Sequence, residues 1–288
     1  MKRFTIPCLL VALGLTFSGS LTAQDSYFEL GIQGGDMPYN GDLSAGGVGF
    51  LSNWNTFGGF YLRYRPINRV GLRFNGIFGR IDASRDYTVS VPGGGRTSYT
   101  RTFRSPITEF SLAAEVDLFY LGDPDDRFVA PYIMAGIGRT SFNPQAENAD
   151  GLLVDLQPLR TEGQGIEGGQ YDPFPYDLDI ITFHLGGGIR AKLSDRFVLG
   201  GEVSGRVTGT DYLDDVSATR LNYNDVLENG GSQSAYFSNP AITPGDDVPD
   251  DFTYTRGGAS NDFYFLINLT LGIRLGGFGG SGSGCYSF

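Results

Sequence analysis

The sequence is poor in cysteine, histidine, tryptophan and positive charge. Of its two cysteines, Cys8 lies in "MKRFTIPCLLVALGLTFSGSLTA". There Lys2 and Arg3 precede an apolar run from Ile6 to Phe17, and small residues lead to Ala23. This pattern predicts a secretory signal peptide over residues 1–23. The run is too short for a stable transmembrane helix. Cys8 sits inside it, whereas a lipid-bearing cysteine would end it. Cleavage near Ala23 leaves Cys285 as the single thiol, so no internal disulfide can form. In an oxidising compartment an odd cysteine is either a free thiol or half of an intermolecular bridge.

The other scarcities exclude further classes. His184 is the single histidine. It has no second histidine to share a metal and no convincing nucleophile or acid beside it, so no catalytic, metal or cofactor site is expected. Lys and Arg total 21 against 32 Asp and Glu, a formal charge of -11. A nucleic-acid partner needs a basic surface, so none is expected. Beyond the signal no stretch holds 18 consecutive apolar residues, so no transmembrane helix is expected.

Glycine and aromatics are plentiful: 44 Gly, 22 Phe and 16 Tyr in 288 residues. That composition suits many strands joined by turns. Alternation confirms the period. In "DFYFLINLTLGIRL", Phe263, Phe265, Ile267, Leu269, Leu271, Ile273 and Leu275 share one face, and Asn268, Thr270 and Arg274 lie on the other. In "TEFSLAAEVDLFY", Phe110, Leu112, Val116 and Leu118 oppose Glu109, Glu115 and Asp117. Similar runs begin near Phe28, Phe60, Val70, Ile181 and Phe197. "FVAPYIMAGIGRTSF" is apolar or small on both faces. About eight strands result, some longer than the roughly 5–6 residues usual in soluble sheets.

The connections alternate between short and long. "PIN", "GDPDDR" and "SD" are tight. The segments 34–56, 82–106, 143–178 and 213–261 read as long polar loops, the last of them mobile. That alternation predicts an all-β, eight-stranded, antiparallel up-and-down transmembrane β-barrel over 24–276 with long external loops. The apolar face then meets outer-membrane lipid. Tyr61, Tyr64, Tyr120, Tyr212 and Tyr264, near strand ends, are expected in aromatic girdles. An even strand count puts both termini on the short-turn side, so the Gly/Ser-rich tail 277–288 with Cys285 is expected in the periplasm.

The lumenal face is predicted to carry Glu29, Arg63, Arg73, Glu109, Glu115, Asp117, His184, Arg190, Lys192, Glu202, Arg206 and Arg274. An eight-stranded lumen is only wide enough for side chains. The geometry therefore favours an ion-pair plug over a channel. The Asp clusters 211–215 and 246–251 have no EF-hand spacing and read as solvated loop charges. The Gly runs "GGGIR" and "GIGRT" lie within strands and are not phosphate loops.

Two segments carry a resemblance. "LQPLRTEGQG" supplies Leu156, Gln157, Pro158, Leu159, Thr161, Glu162, Gly163, Gln164 and Gly165. "TDYLDDVS" supplies Asp211, Tyr212, Leu213, Asp214 and Asp215 within 210–217. With a cysteine close to the C-terminus, they resemble the PorG-like outer-membrane barrel family of Bacteroidetes. Arg160 stands where the family pattern has Gly, and the 218–261 loop is long for it. The resemblance covers most of the mature chain. It implies a non-enzymatic barrel component of the type IX secretion system, which ties a periplasmic ring of a PorK-like lipoprotein and a PorN-like protein to the outer membrane. Cys285 is then a candidate for a covalent bridge to a periplasmic partner. A solute or hydrophobic-ligand conduit, a relative of other role, and an outer-membrane enzyme remain alternatives.

Overall fold

The computed structural model describes residues 26–44, 49–92, 94–124, 126–166, 171–243 and 245–275. Eight strands form a ring: β1 (Tyr27–Asp36), β2 (Thr56–Ile67), β3 (Val70–Ser90), β4 (Arg96–Asp117), β5 (Phe128–Phe142), β6 (Asp179–Lys192), β7 (Phe197–Val207) and β8 (Phe263–Leu275). Each pairs antiparallel with its neighbours in sequence. β8 returns to β1, with Phe28 opposite Leu275 and Asp36 opposite Ile267. Closure leaves no open edge inside a membrane, where an unpaired backbone group would cost several kcal/mol.

The two-residue period sorts the side chains. Leu30, Ile32, Leu62, Leu112, Ile133, Ile137, Phe183, Leu185, Val203, Leu269 and Leu271 point outward and are exposed, Leu185 by 71%. A continuous apolar exterior is unfavourable in water and favourable in hydrocarbon. Phe60, Phe74, Phe78 and Phe110 form an aromatic cluster on this outer face, with ring centroids 5.9–6.4 Å apart. Inward positions are polar toward the short-turn end and apolar toward the loop end. Gly31 and Gly272 pair across β1 and β8. A Cβ on either would lie 2.3–2.4 Å from the Tyr61 ring or hydroxyl, so their lack of a side chain makes room for Tyr61 in the lumen.

Three expectations need correction. First, 82–106 is not a loop. β3 and β4 continue through it as one long hairpin that turns at 91–95. Its residues are polar but strand-forming, and cross-strand pairs hold it. Tyr87 stacks on Tyr99 at 5.7 Å, the Thr88 and Ser98 hydroxyls lie 2.9 Å apart, and Thr100 donates to Asp86 at 2.6 Å. Second, 213–261 is built rather than irregular. It contains helix α1 (Tyr223–Ser238) and a two-stranded sheet of Arg220–Asn222 with Thr253–Thr255. The Asn222 side chain caps α1 by accepting from the Asn224 and Asp225 amides. The helix kinks at Gly231, whose φ of 79° suits glycine.

Third, the girdle takes up only one of the five tyrosines. Tyr64 faces outward and packs on Phe28 at 4.9 Å. Tyr61 and Tyr264 are fully buried. They share strand parity with Arg63 and Asn268, which fixes them inward. Tyr120 donates to lumenal Asp117, and Tyr212 stacks in the external cap.

Candidate functional site: a filled lumen under a tied cap

The lower lumen, at the short-turn end, is a network of buried charge. Glu29, Glu109, Glu115, Asp117 and Glu202 face Arg63, Arg65, Arg73, Arg190 and Arg206. Glu115 is the hub. Its Oε2 lies 2.8 Å from Arg63 Nε and 3.8 Å from both Arg65 Nη2 and Arg190 Nη1, and its Oε1 lies 3.1 Å from Arg73 Nη1. Asp117 holds Arg65 through two bonds of 2.9 and 3.1 Å, and it also contacts Arg190. Glu202 holds Arg73 through two bonds of 2.7 and 2.8 Å and accepts the Tyr132 hydroxyl at 2.7 Å. Glu29 meets Arg63 and accepts from Tyr61 at 2.7 Å. Higher up, Glu109 pairs with Arg206 at 3.2 Å and accepts from Tyr264 at 2.7 Å. Forked guanidinium–carboxylate contacts of this kind offset the cost of burial.

Above the charges the lumen turns apolar. Met37, Tyr39, Phe57, Ile77, Ile81, Phe103, Ile107, Phe142 and Leu266 converge there, and Leu213 and Val216 descend onto them from the 208–262 connection. The two motif segments meet over this plug. Thr161 donates to Asp215, and Glu162 accepts from the Ser217 amide at 2.8 Å and from its hydroxyl. Tyr176 donates to Asp215 at 2.7 Å and stacks on Tyr212 at 4.6 Å. Arg256, buried, ties the junction together. It lies 3.4 Å from Glu162 and 3.2 Å from Asp215, and it donates to Thr161 Oγ1 and the Asp215 carbonyl at 2.6 Å each.

Arg160 sits in a left-handed turn. Its φ is 53°, the left-handed conformation that glycine adopts most easily, and the turn keeps that shape with arginine in place. Gly163 and Gly165 also have positive φ. A Cβ on Gly163 would lie 2.9 Å from the Tyr171 ring. Leu156 packs with Ala146 and Phe237, and Leu159 joins them. Pro158 lies in the short helical turn Gln157–Leu159, and Gln157 donates to the Tyr176 carbonyl at 3.1 Å. Gln164 is buried, and its Oε1 accepts from the Glu162 amide.

The remaining sequence candidates fall as follows. Arg274 is half-buried at the short-turn end, its guanidinium 3.7 Å from the Tyr27 ring centroid. Lys192 lies 3.4 Å from Asp195. His184 faces the lumen between charged neighbours, without a nucleophile in contact, and a Cβ on Gly136 would lie 2.3 Å from its Nε2. Cys285, the tail 277–288 and the signal segment 1–23 lie outside the described residues. Among the described residues, no three His, Cys, Asp or Glu side chains gather to hold a metal ion.

Sequence reasoning missed Arg65, Tyr61, Tyr132 and Tyr264 in the lumen, and Tyr39, Tyr176, Arg256 and Asp262 in the cap. Arg65 follows Arg63 by two residues, so parity alone could have found it. Arg256 lies in an aperiodic segment, and only its nearness to the Asp-rich stretches hints at pairing.

The cap carries carboxyls with raised affinity for protons. Tyr39 donates to Asp214 at 2.6 Å and to Asp262 at 3.1 Å, which sets the two carboxyls around one hydroxyl. Burial pushes Asp214 up to about 8, and burial together with the Asp214 charge raises Asp262. Burial also pushes Asp211 up to about 7. A carboxyl whose folded affinity for protons is raised stabilises the fold fully below its unfolded pKa of about 4. That stability is lost as pH rises through the folded value. The cap is therefore expected to loosen between about pH 4 and about pH 8. Hydrogen exchange at 210–217, corrected for intrinsic rates, should report faster opening at the higher pH. Asp214→Asn should flatten the dependence.

A closed eight-stranded antiparallel ring, apolar outside and charged within, is an outer-membrane β-barrel. No protein-family model matches the sequence, and no curated protein matches it. Among solved structures, the chain is similar to Neisserial surface protein A at 10% identity and a TM-score of 0.43. It is similar to the N-terminal β-barrel domain of Pseudomonas aeruginosa OprF at 10% and 0.36, and to a major outer membrane protein of Thermus thermophilus at 14% and 0.34. Each likeness covers 88% of this chain and 100% of the other. The class rests on this chain's own strand pairing and outer face.

Proposed function

We propose that this chain is a sealed, non-enzymatic structural component of the outer membrane, acting as the PorG-like barrel of a type IX secretion system. The observation that carries the reading is that both motif segments, 156–165 and 210–217, converge on one buried junction around Arg256. A motif pair that builds one folded cap suits a scaffold. Support for a non-conducting role comes from the lumen, filled by ion pairs below and apolar side chains above. The conduit reading needs a continuous path, and the packed Glu115 network lies across it.

In this reading the barrel anchors a periplasmic ring of a PorK-like lipoprotein and a PorN-like protein through its short-turn side. The tail thiol Cys285 provides the covalent form of the attachment. Deleting the gene should leave type IX cargo in the periplasm. Normal secretion by the deletion strain would overturn the secretion role. For the covalent form, thiol-trapped cells run on a non-reducing gel should show a shifted species that is absent in Cys285→Ser. Wild-type protein running wholly as monomer would sink the bridge.

A further inference from the structure

Arg101 is a buried cation without a carboxylate partner among the described residues. It lies on β4 beyond the barrel mouth, is 7% exposed, and forms no ion pair among the described residues. Its Nη2 donates to the Ser238 carbonyl at 3.0 Å and to the Tyr99 hydroxyl at 3.4 Å, and its Nε meets no acceptor. The guanidinium lies 5.5 Å from the Tyr87 ring centroid and 5.6 Å from that of Tyr99. Ring faces and neutral acceptors only partly replace lost hydration, and a buried charge left unpaired is costly.

Both signs surround it: Arg256 repels it, while the carboxyls of Asp214 and Asp42 lie within electrostatic range without pairing with it. Arg101 lines a cavity of about 60 Å³ that Arg256 also lines, with Asp214, Tyr236, Phe237 and the exposed Glu147 among the other walls. Arg256 already serves Glu162 and Asp215. Asp214 accepts from the Tyr39 hydroxyl and from the Leu43 and Val216 amides, so its oxygens are engaged away from Arg101. Burial and the like charge of Arg256 both lower the proton affinity of Arg101. Beyond Arg256 a cleft of about 280 Å³ opens past Arg85, Tyr87 and Gly257, with Asp42 on one wall held by the Gly258 amide.

We propose that the cavity beside Arg101 and Arg256 binds a small oxyanion, the phosphate or carboxylate group of a ligand met on the external face. Its volume suits one such group, and the adjoining cleft would take the rest of a larger molecule. The anion supplies the missing counter-charge to Arg101, through hydrogen bonds of the charge-assisted kind.

The test uses the full-length barrel in detergent, titrated with inorganic phosphate and separately with acetate, against chloride at matched ionic strength. Saturable binding to the wild type by calorimetry is expected for at least one of the two. Arg101→Gln should weaken it about tenfold or more, the loss of roughly one charge-assisted contact. Arg101→Lys should retain part of it. Adding lipid A to the micelles separates a lipid headgroup from a free anion: competition with phosphate assigns the site to the headgroup source, and no competition to the free anion. No saturable binding of either probe to the wild type would overturn the proposal, whatever the variants do. Unaltered binding by folded Arg101→Gln would overturn it too.

Discussion

Glu115→Ala is expected to cost the barrel about 3–5 kcal/mol, the usual loss when one partner of a buried ion pair is removed. Glu115 is fully buried at the centre of Arg63, Arg65, Arg73 and Arg190. Removing its charge leaves five guanidiniums against four carboxylates in the lumen, and its four arginines then repel one another without a screen. Asp117 and Glu202 are already engaged and cannot move to replace it, because each is fixed by its own strand. Reversible urea unfolding in lipid vesicles measures the loss. Asp195→Asn serves as the control. Its side chain is 90% exposed beside Lys192, so that pair should matter by less than about 1 kcal/mol. A loss for Glu115→Ala as small as the control's would mean that the lumenal charges do not form a connected network.

The second large effect is local. Arg256→Ala removes the shared partner of Glu162 and Asp215, both buried. Two carboxylates are then left in a dry junction, with Thr161, Ser217 and Tyr176 as neutral donors. A cost of about 3 kcal/mol to the cap corresponds to roughly a hundredfold rise in the population of open cap. Limited proteolysis in 143–178 and 208–262 should accelerate by about that factor when cleavage is slower than reclosing. The barrel itself should keep its heat-modifiable mobility on gels, since Arg256 lies outside every barrel strand. Unchanged proteolysis would remove Arg256 from its tying role. Concerted loss of barrel and cap would show that the two are one cooperative unit.

The barrel was legible because membrane strands follow a strict rule. Lipid outside and a narrow lumen inside force period two, and Phe110 to Asp117 display it without interruption. Parity also fixes which charges face inward. It does not say which carboxylate meets which arginine, because partners come from different strands with staggered register. Glu202 meets Arg73 across the lumen, 129 residues away in sequence. The long hairpin at 82–106 was missed for a physical reason. Above the membrane neither face of a strand needs to be apolar, so the alternation fades while β-forming Thr and Tyr persist. The cap was the least legible part. Its contacts are set by Arg256, Tyr39 and Asp262, which lie in aperiodic segments and act through tertiary pairing. Arg160 shows the opposite limit: a left-handed turn of the kind glycine adopts most easily is built here on arginine.

The sealed lumen is the claim on which the structural reading depends. Purified full-length barrel, incorporated into planar bilayers with insertion verified by protease protection, should produce no regular conductance steps. Stable ohmic steps that persist in the wild type would contradict a lumen closed by the Glu115 network and by the plug of Leu213 and Val216.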